Sequence, residues 1–264
     1  MKKLRPKKYL GQHFLNDTKI SKKITEKLDL NNTQTIVEVG PGMGILTENL
    51  VKLDRNCFFV EIDNDAVNFL KKKYITISGS ILNQDFLKLN LKKFKPPLAI
   101  IGNFPYNISS QIVFKIIENR KYVNQMVGMF QKEVAERICS KPGSKVYGIL
   151  SVLTQAFFKT DFLFTLKPSY FDPSPKVDSA VIKFSRNKTK NLKCDEDLFF
   201  RIVKQSFQQR RKTIKNSLKN FNISKIIKED VIFEKRPETL SVEDFVLLTN
   251  ILDNGTVPTH RRSN

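Results

Sequence analysis

Asn103, Phe104, Pro105 and Tyr106 stand together directly after the apolar run Leu98-Ala99-Ile100-Ile101-Gly102. Side chains of these types in this order suit one chemical task, holding an exocyclic amine beside an electrophile. The Asn103 carboxamide oxygen accepts a hydrogen bond from an amine N–H. Pro105 has no N–H of its own and a fixed φ, so the Phe104 carbonyl before it is held as a second acceptor. Tyr106 offers a flat face on which a base can stack. Asn and Pro also end strands in ordinary turns, so the tetrapeptide alone leaves a turn and a site equally open.

The elements that must position it form a strand–helix alternation. After a helix with Asp17 at its cap and Ile20, Ile24 and Leu28 on one face, strands are expected at Thr35 to Val39, Cys57 to Ile62, Ile75 to Ser80, Leu98 to Gly102 and Gln125 to Phe130. Helices are expected at Ile45 to Leu53, Asp65 to Lys73 and Ile108 to Ile117. Lys141 to Ser144 reads as a loop, and Ala180 to Phe184 as a last strand. Near-continuous apolar strands in βα order imply an α/β, Rossmann-like fold with a mostly parallel sheet covered on both faces. The character changes after Lys193 to helices, Asp195 capping one and Ser241 to Asp244 forming a capping box for another. The expected organisation is a domain over 1–190, a small α-helical domain over 191–252 and a disordered tail over 253–264.

Glu38-Val39-Gly40-Pro41-Gly42-Met43-Gly44 lies between the first of the alternating strands and its helix. Gly40 and Gly42 let the chain turn tightly and let a ligand approach the backbone. Ligands of doubly wound folds bind at the carboxyl ends of strands. Glu61, at the second such end, can accept both hydroxyls of a ribose. A nicotinamide dinucleotide would also satisfy these two features, but its pattern is Gly-x-Gly-x-x-Gly, and here glycines alternate with other residues. S-adenosylmethionine needs no pyrophosphate seat, and Asp85, after the third strand, can accept from its adenine amine. Methyl transfer to an adenine amine needs alignment more than acid–base machinery, and alignment supplies up to about 7–11 kcal/mol. Such an amine must be single-stranded or flipped out of a duplex.

The net charge is +20, far beyond what solubility requires, and points to a polyanionic partner. Cys57, Cys139 and Cys194 are scattered, and His13 and His260 are far apart, so neither a disulfide framework nor a metal site is expected. No apolar run reaches membrane-spanning length. The expectation is a cytoplasmic monomer whose partner is nucleic acid rather than a membrane, with no protein partner inferable.

Gln12-His13-Phe14-Leu15, Glu38 to Gly44, Glu61-Ile62-Asp63, Asp85, Asn103 to Tyr106, Gln131 to Val134 and Pro175 to Val181 together resemble the ribosomal RNA adenine N6,N6-dimethyltransferases. Phe207 to Leu218 resembles the C-terminal signature of the small-subunit branch. The resemblance runs from about residue 8 to about residue 250. It implies a class I, S-adenosylmethionine-dependent methyltransferase that dimethylates two adjacent adenosines in the 3′-terminal hairpin loop of small-subunit ribosomal RNA, late in subunit assembly. By motif position it assigns cofactor contacts to Gln12, His13, Leu15, Gly40, Gly42, Glu61, Asp85 and Asn103. The target base and the chemistry fall to Asn103, Phe104, Pro105 and Tyr106. Phe104 departs from the family's frequent Leu or Ile, and His13 stands where Asn is common.

Arg210, Arg211 and Lys212 lie in the segment Phe207 to Lys219, which reads as a helix start suited to clamping RNA phosphates. Lys71 to Lys73, by contrast, end a helix, where cations offset its dipole. Three other readings remain: methylation of large-subunit ribosomal RNA, methylation of DNA adenine (where Asp rather than Asn is usual at the first position) and a non-catalytic assembly factor.

Overall fold

The computed structural model describes residues 4–219, 221 and 229–254, and these divide into two compact units. Of the described residues, the first unit comprises those within 1–135 and 159–186, the second those within 136–158 and 187–254.

In chain order the elements are β1 (Phe14–Leu15), α1 (Thr18–Thr25), β2 (Thr35–Val39), α2 (Thr47–Leu50), β3 (Asn56–Glu61), α3 (Asn64–Lys73), β4 (Ile81–Asn83), β5 (Leu98–Asn103), α4 (Ser109–Glu118), β6 (Val123–Gln131), α5 (Lys132–Cys139), α6 (Ile149–Gln155), β7 (Phe158–Leu166), β8 (Phe171–Asp172), β9 (Ser179–Arg186), α7 (Glu196–Gln208), α8 (Ile214–Ser217) and α9 (Val242–Asn254). Seven strands form one sheet in the order β4-β3-β2-β5-β6-β9-β7. The contacts among β4, β3, β2, β5 and β6 are parallel, and β9 runs antiparallel to β6. Every residue of β2 is buried and β5 is buried up to Gly102, which is why these strands read as unbroken apolar runs. The sequence order reverses around β2, so the ends of β2, β3 and β5 open on one crevice, the place such sheets bind ligands.

Local signals set several boundaries. Asp17 caps α1 by accepting from the Ile20 N–H, and Asp195 caps α7 through the Leu198 N–H at 2.6 Å. The Ser241–Asp244 box forms reciprocally, with both bonds at 3.1 Å. Other expectations are corrected. Residues 75–80 form a 3₁₀ turn, and the strand begins at Ile81, where the chain reaches Phe59 at the sheet edge. The β-branched residues there suggested a strand, but Ile75 is exposed and has no sheet face to cover. The helix expected over Ile45 to Leu53 is a single turn, Thr47–Leu50.

The second unit takes in residues 136–158, which fall within the 1–190 domain expected from the sequence. The physical reason is α6: Leu150, Ser151, Val152, Leu153 and Thr154 are all buried, so this helix needs cover on every side and finds it against α7 and α9. The core of this unit adds Phe199, Ile202, Val203, Phe233, Phe245 and Leu248. The tail expected from Asp253 starts inside α9, and its residues from 255 on lie outside the described residues.

Candidate cofactor and target-base site

A cavity of about 180 Å³ opens at the carboxyl ends of β2, β3 and β5. Of the residues assigned to the site from sequence, Gln12, His13, Gly40, Gly42, Glu61, Asp85 and Asn103 to Tyr106 line it together. Leu15 does not: it is 4% exposed and sits in the hydrophobic core, its strand β1 pairing with β8. It touches only a small neighbouring recess that it shares with Phe14, Glu38 and Asn103.

The glycine loop is shaped for close approach. Gly40 has φ +67° and open space where a Cβ would stand. Gly42, at φ +55°, is required for a different reason, since a Cβ there would meet the Phe14 ring at 2.7 Å. Glu61 ends β3, 4% exposed. Its two carboxylate oxygens accept from the Gly42 N–H at 3.0 Å and the Asp63 N–H at 2.9 Å. Burial draws its pKa upward, and these two N–H donors offset part of that. Each oxygen keeps a further acceptor site, which suits a vicinal diol. Ile62, 51% exposed, and Phe86 add apolar wall suited to a flat ring. Asp85 holds its own loop by accepting from the Leu87 N–H at 2.9 Å. A nucleoside cofactor bearing a cationic sulfonium fits this lining of two acids, a glycine backbone and apolar walls.

At the other end of the cavity the Asn103 carboxamide is oriented by a distant residue. Its Nδ2 donates to the His13 carbonyl at 2.6 Å. Because a carbonyl only accepts, the amide nitrogen is identified, and Oδ1 is left as an acceptor. Phe104 is 1% exposed, its ring edge-on to Phe130 at 5.2 Å. Gly102 and Gly128 make room for it: a Cβ would come within 2.8 Å and 2.2 Å of that ring. The bulkier Phe side chain is thus absorbed by two glycines. Tyr106 Oη and Ser179 Oγ are 2.6 Å apart, and burial pushes the phenol pKa up, keeping it neutral. The His13 ring stacks on Tyr106 with centroids 5.4 Å apart, and its Nδ1 donates to the Pro173 carbonyl at 2.7 Å. The His13 side chain therefore supports the tyrosine as well as lining the cavity.

Sequence reading missed Phe14, Gly11, Ile62, Phe86, Gly102, Gly128 and Ser179. Gly102 and Gly128, each inside an apolar strand, carried a legible signal, because a strand-interior glycine marks close approach of a neighbour.

Glu38, fully buried behind the glycine loop, accepts from Thr47 Oγ1 at 2.7 Å. Burial raises its pKa to about 8, Thr47 opposing and Glu61 adding to the effect. The folded state therefore holds this proton more tightly than the unfolded chain. The stability Glu38 contributes is fully present below its ordinary value near 4.5 and is lost as pH rises to about 8. Glu38→Gln should melt with the wild type at pH 5 and roughly 5 °C above it at pH 8.5. Equal melting at pH 8.5 would remove the assignment.

The basic residues assigned to RNA lie in the second unit. The segment from Phe207 is the end of α7, not a helix start, with a turn closed by Lys212 N–H donating to the Gln209 carbonyl at 2.8 Å. Phe207 packs near Tyr147 and Phe245, at 6.2 and 6.0 Å, and serves the core. Arg210 donates to the Ser144 carbonyl at 3.3 Å, while Arg211 and Lys212 are exposed.

The sequence pattern of ribosomal RNA adenine dimethylase matches residues 3–254. The ribosomal RNA small subunit methyltransferase A of Flavobacterium johnsoniae is 51% identical over 255 residues, 96% of this chain and 98% of the relative. That of Bacteroides thetaiotaomicron is 51% identical over 258 residues, 97% of each. Among solved structures, a dimethyladenosine transferase from Plasmodium falciparum superposes with a TM-score of 0.78 at 26% identity, covering 92% of this chain and 98% of that one. The 23S rRNA methyltransferase ErmE superposes with a TM-score of 0.66 at 26% identity, covering 90% and 99%. With the match extending over nearly its whole length, the chain is a methyltransferase belonging to the ribosomal RNA adenine dimethylase family.

Proposed function

We propose that this enzyme transfers methyl groups from S-adenosylmethionine to N6 of two adjacent adenosines in the 3′-terminal hairpin loop of small-subunit ribosomal RNA, dimethylating each, late in subunit assembly. The observation that supports the reading is the Asn103 Nδ2 bond to the His13 carbonyl, which leaves Oδ1 as an acceptor for a substrate amine at the cavity that Glu61 and Gly40 also line.

When bound, the cofactor supplies a methyl group that is already strongly electrophilic. The adenine amine is a poor nucleophile because its lone pair is delocalised into the ring. Asn103 Oδ1 and the Phe104 carbonyl accept its two hydrogens and aim the lone pair out of the ring plane. Tyr106 stacks the base and, being neutral and electron-rich, favours the developing positive charge. Glu61 and the Gly40 backbone hold the ribose end, so both reactants lose freedom before reaction. The methylated amine loses its proton to solvent, and no side-chain base is needed.

The test is transfer of labelled methyl from S-adenosylmethionine to small subunits lacking the modification, against large subunits and DNA. N6,N6-dimethyladenosine mapped to small-subunit RNA supports the reading. Label only in large-subunit RNA or DNA overturns the substrate, and binding without transfer favours an assembly factor.

Among the described residues no helix is long and apolar enough to cross a membrane. Exposed Arg211 and Lys212 are proposed to pair with RNA phosphates. Arg211→Ala with Lys212→Ala should weaken RNA binding and lower the slope of log K against log salt by about 2. An unchanged slope would return both to an ordinary solvated surface.

A further inference from the structure

The segment from Arg5 to Phe14 has two faces. Its inner side, Leu10 to Phe14, walls the cavity. On its outer side Arg5, Lys8 and Tyr9 are exposed, Tyr9 by 75%. An exposed tyrosine directly after basic residues is a composition that takes a stacked base together with its phosphates. The segment lies against the target-base end of the site. The Tyr9 carbonyl accepts from Asn107 Nδ2 at 3.5 Å, and Gly11 is so close that a Cβ would stand 2.8 Å from Asn107 Oδ1 and 3.8 Å from Pro105 Cβ.

A polar clasp holds the segment down. Lys7 Nζ lies 2.5 Å from Asp63 Oδ1 and 2.7 Å from Asp65 Oδ2. Gln12 Nε2 donates to Asp63 Oδ2 at 3.0 Å, and Gln12 Oε1 accepts from the Lys7 N–H at 2.8 Å. Asp63 is 3% exposed, and its own N–H donates to Glu61 Oε1. One buried residue thus links the two: the Asp63 carboxylate holds the segment while its backbone N–H holds Glu61, the acid proposed for the ribose end of the cavity.

We propose that Arg5 to Phe14 is a strap that Asp63 clasps over the cofactor cavity, and that its outer face, through Tyr9, Arg5 and Lys8, takes the RNA flanking the target adenosine. The RNA half of this rests on the function proposed above; the clasp does not. Asp63 and Lys7 are positioning residues. RNA on the outer face and cofactor under the inner face favour the same closed strap, so each tightens the other by the same factor.

The test uses the full chain, S-adenosylhomocysteine as calorimetric probe, trypsin as a probe of the strap and small subunits lacking the modification as RNA. Lys7→Met should speed cleavage after Lys8 and raise the Kd for S-adenosylhomocysteine by roughly fivefold or more, with Lys7→Arg restoring both. Tyr9→Ala should raise KM for small subunits by roughly tenfold while the Kd for S-adenosylhomocysteine without RNA stays put, and Tyr9→Phe should restore KM. Unchanged cleavage and Kd in Lys7→Met overturn the clasp. Unchanged KM in Tyr9→Ala overturns the RNA face. If the unaltered protein methylates no small subunits, the proposed substrate falls instead, and the calorimetric and proteolytic results still decide the clasp.

Discussion

Asn103→Ala lowers kcat by about 10²–10³-fold, the loss expected when one preorganised hydrogen-bonding group facing a reacting centre is removed. The change deletes the Oδ1 acceptor for the substrate amine and the 2.6 Å bond to the His13 carbonyl. The first loss falls on the aimed lone pair and therefore on kcat. The second frees the chain around His13, whose ring stacks on Tyr106, so KM for RNA shifts modestly. Asn103→Asp separates the two: it keeps an acceptor near the amine but replaces the donor to His13 with a second acceptor, setting oxygen against oxygen. It should retain more activity than alanine only where its carboxyl is protonated, giving turnover that falls as pH rises. Turnover within threefold of wild type in Asn103→Ala, measured by single-turnover methyl transfer, would remove this residue from the target-base pocket.

Glu61→Gln raises the Kd for S-adenosylhomocysteine by about 10²-fold, measured by calorimetry. Gln matches Glu in size, so β3 and its neighbours keep their packing. The carboxylate, however, accepts from two backbone N–H groups, Gly42 and Asp63, and a Gln has one oxygen for both. Either its NH₂ turns toward one of these donors or that donor is left unpaired in a buried place, at about 1–3 kcal/mol. The charge that strengthens hydrogen bonds to a diol is also lost. Both effects act before chemistry, so KM for the cofactor rises more than kcat falls. An unchanged Kd would move the ribose end of the site away from Glu61.

Local chemistry made much of this protein legible before any coordinates. β2 and β5 read as strands because both their faces are covered, leaving β-branched and apolar residues in unbroken runs. Asp17, Asp195 and the Ser241–Asp244 box marked helix starts because a cap bonds within three residues of itself. The motif ends carried the site because parallel strands joined by helices bring all their carboxyl ends to one edge, whatever the loops between them. The same locality misled at residues 75–80, where Ile75 and Thr76 are exposed and the chain turns as a 3₁₀ helix although Ile77 packs on the core. At Leu15 motif position implies a cofactor contact, and its side chain packs into the core.

The orientation of the groups depended on residues far apart in the chain. His13 turns Asn103 across 90 positions, and Ser179 meets the Tyr106 hydroxyl across 73. Lys7 and Gln12 reach Asp63 across 56 and 51. Gly102 and Gly128, on neighbouring strands, open the hole that Phe104 fills. Residue type and spacing name the groups that can accept, stack or hold a ribose. Which oxygen faces the amine, and which face of a ring is covered, depends on partners that meet only once the sheet has closed and packed, because a hydrogen bond reaches about 3 Å and sequence distance says nothing about that approach.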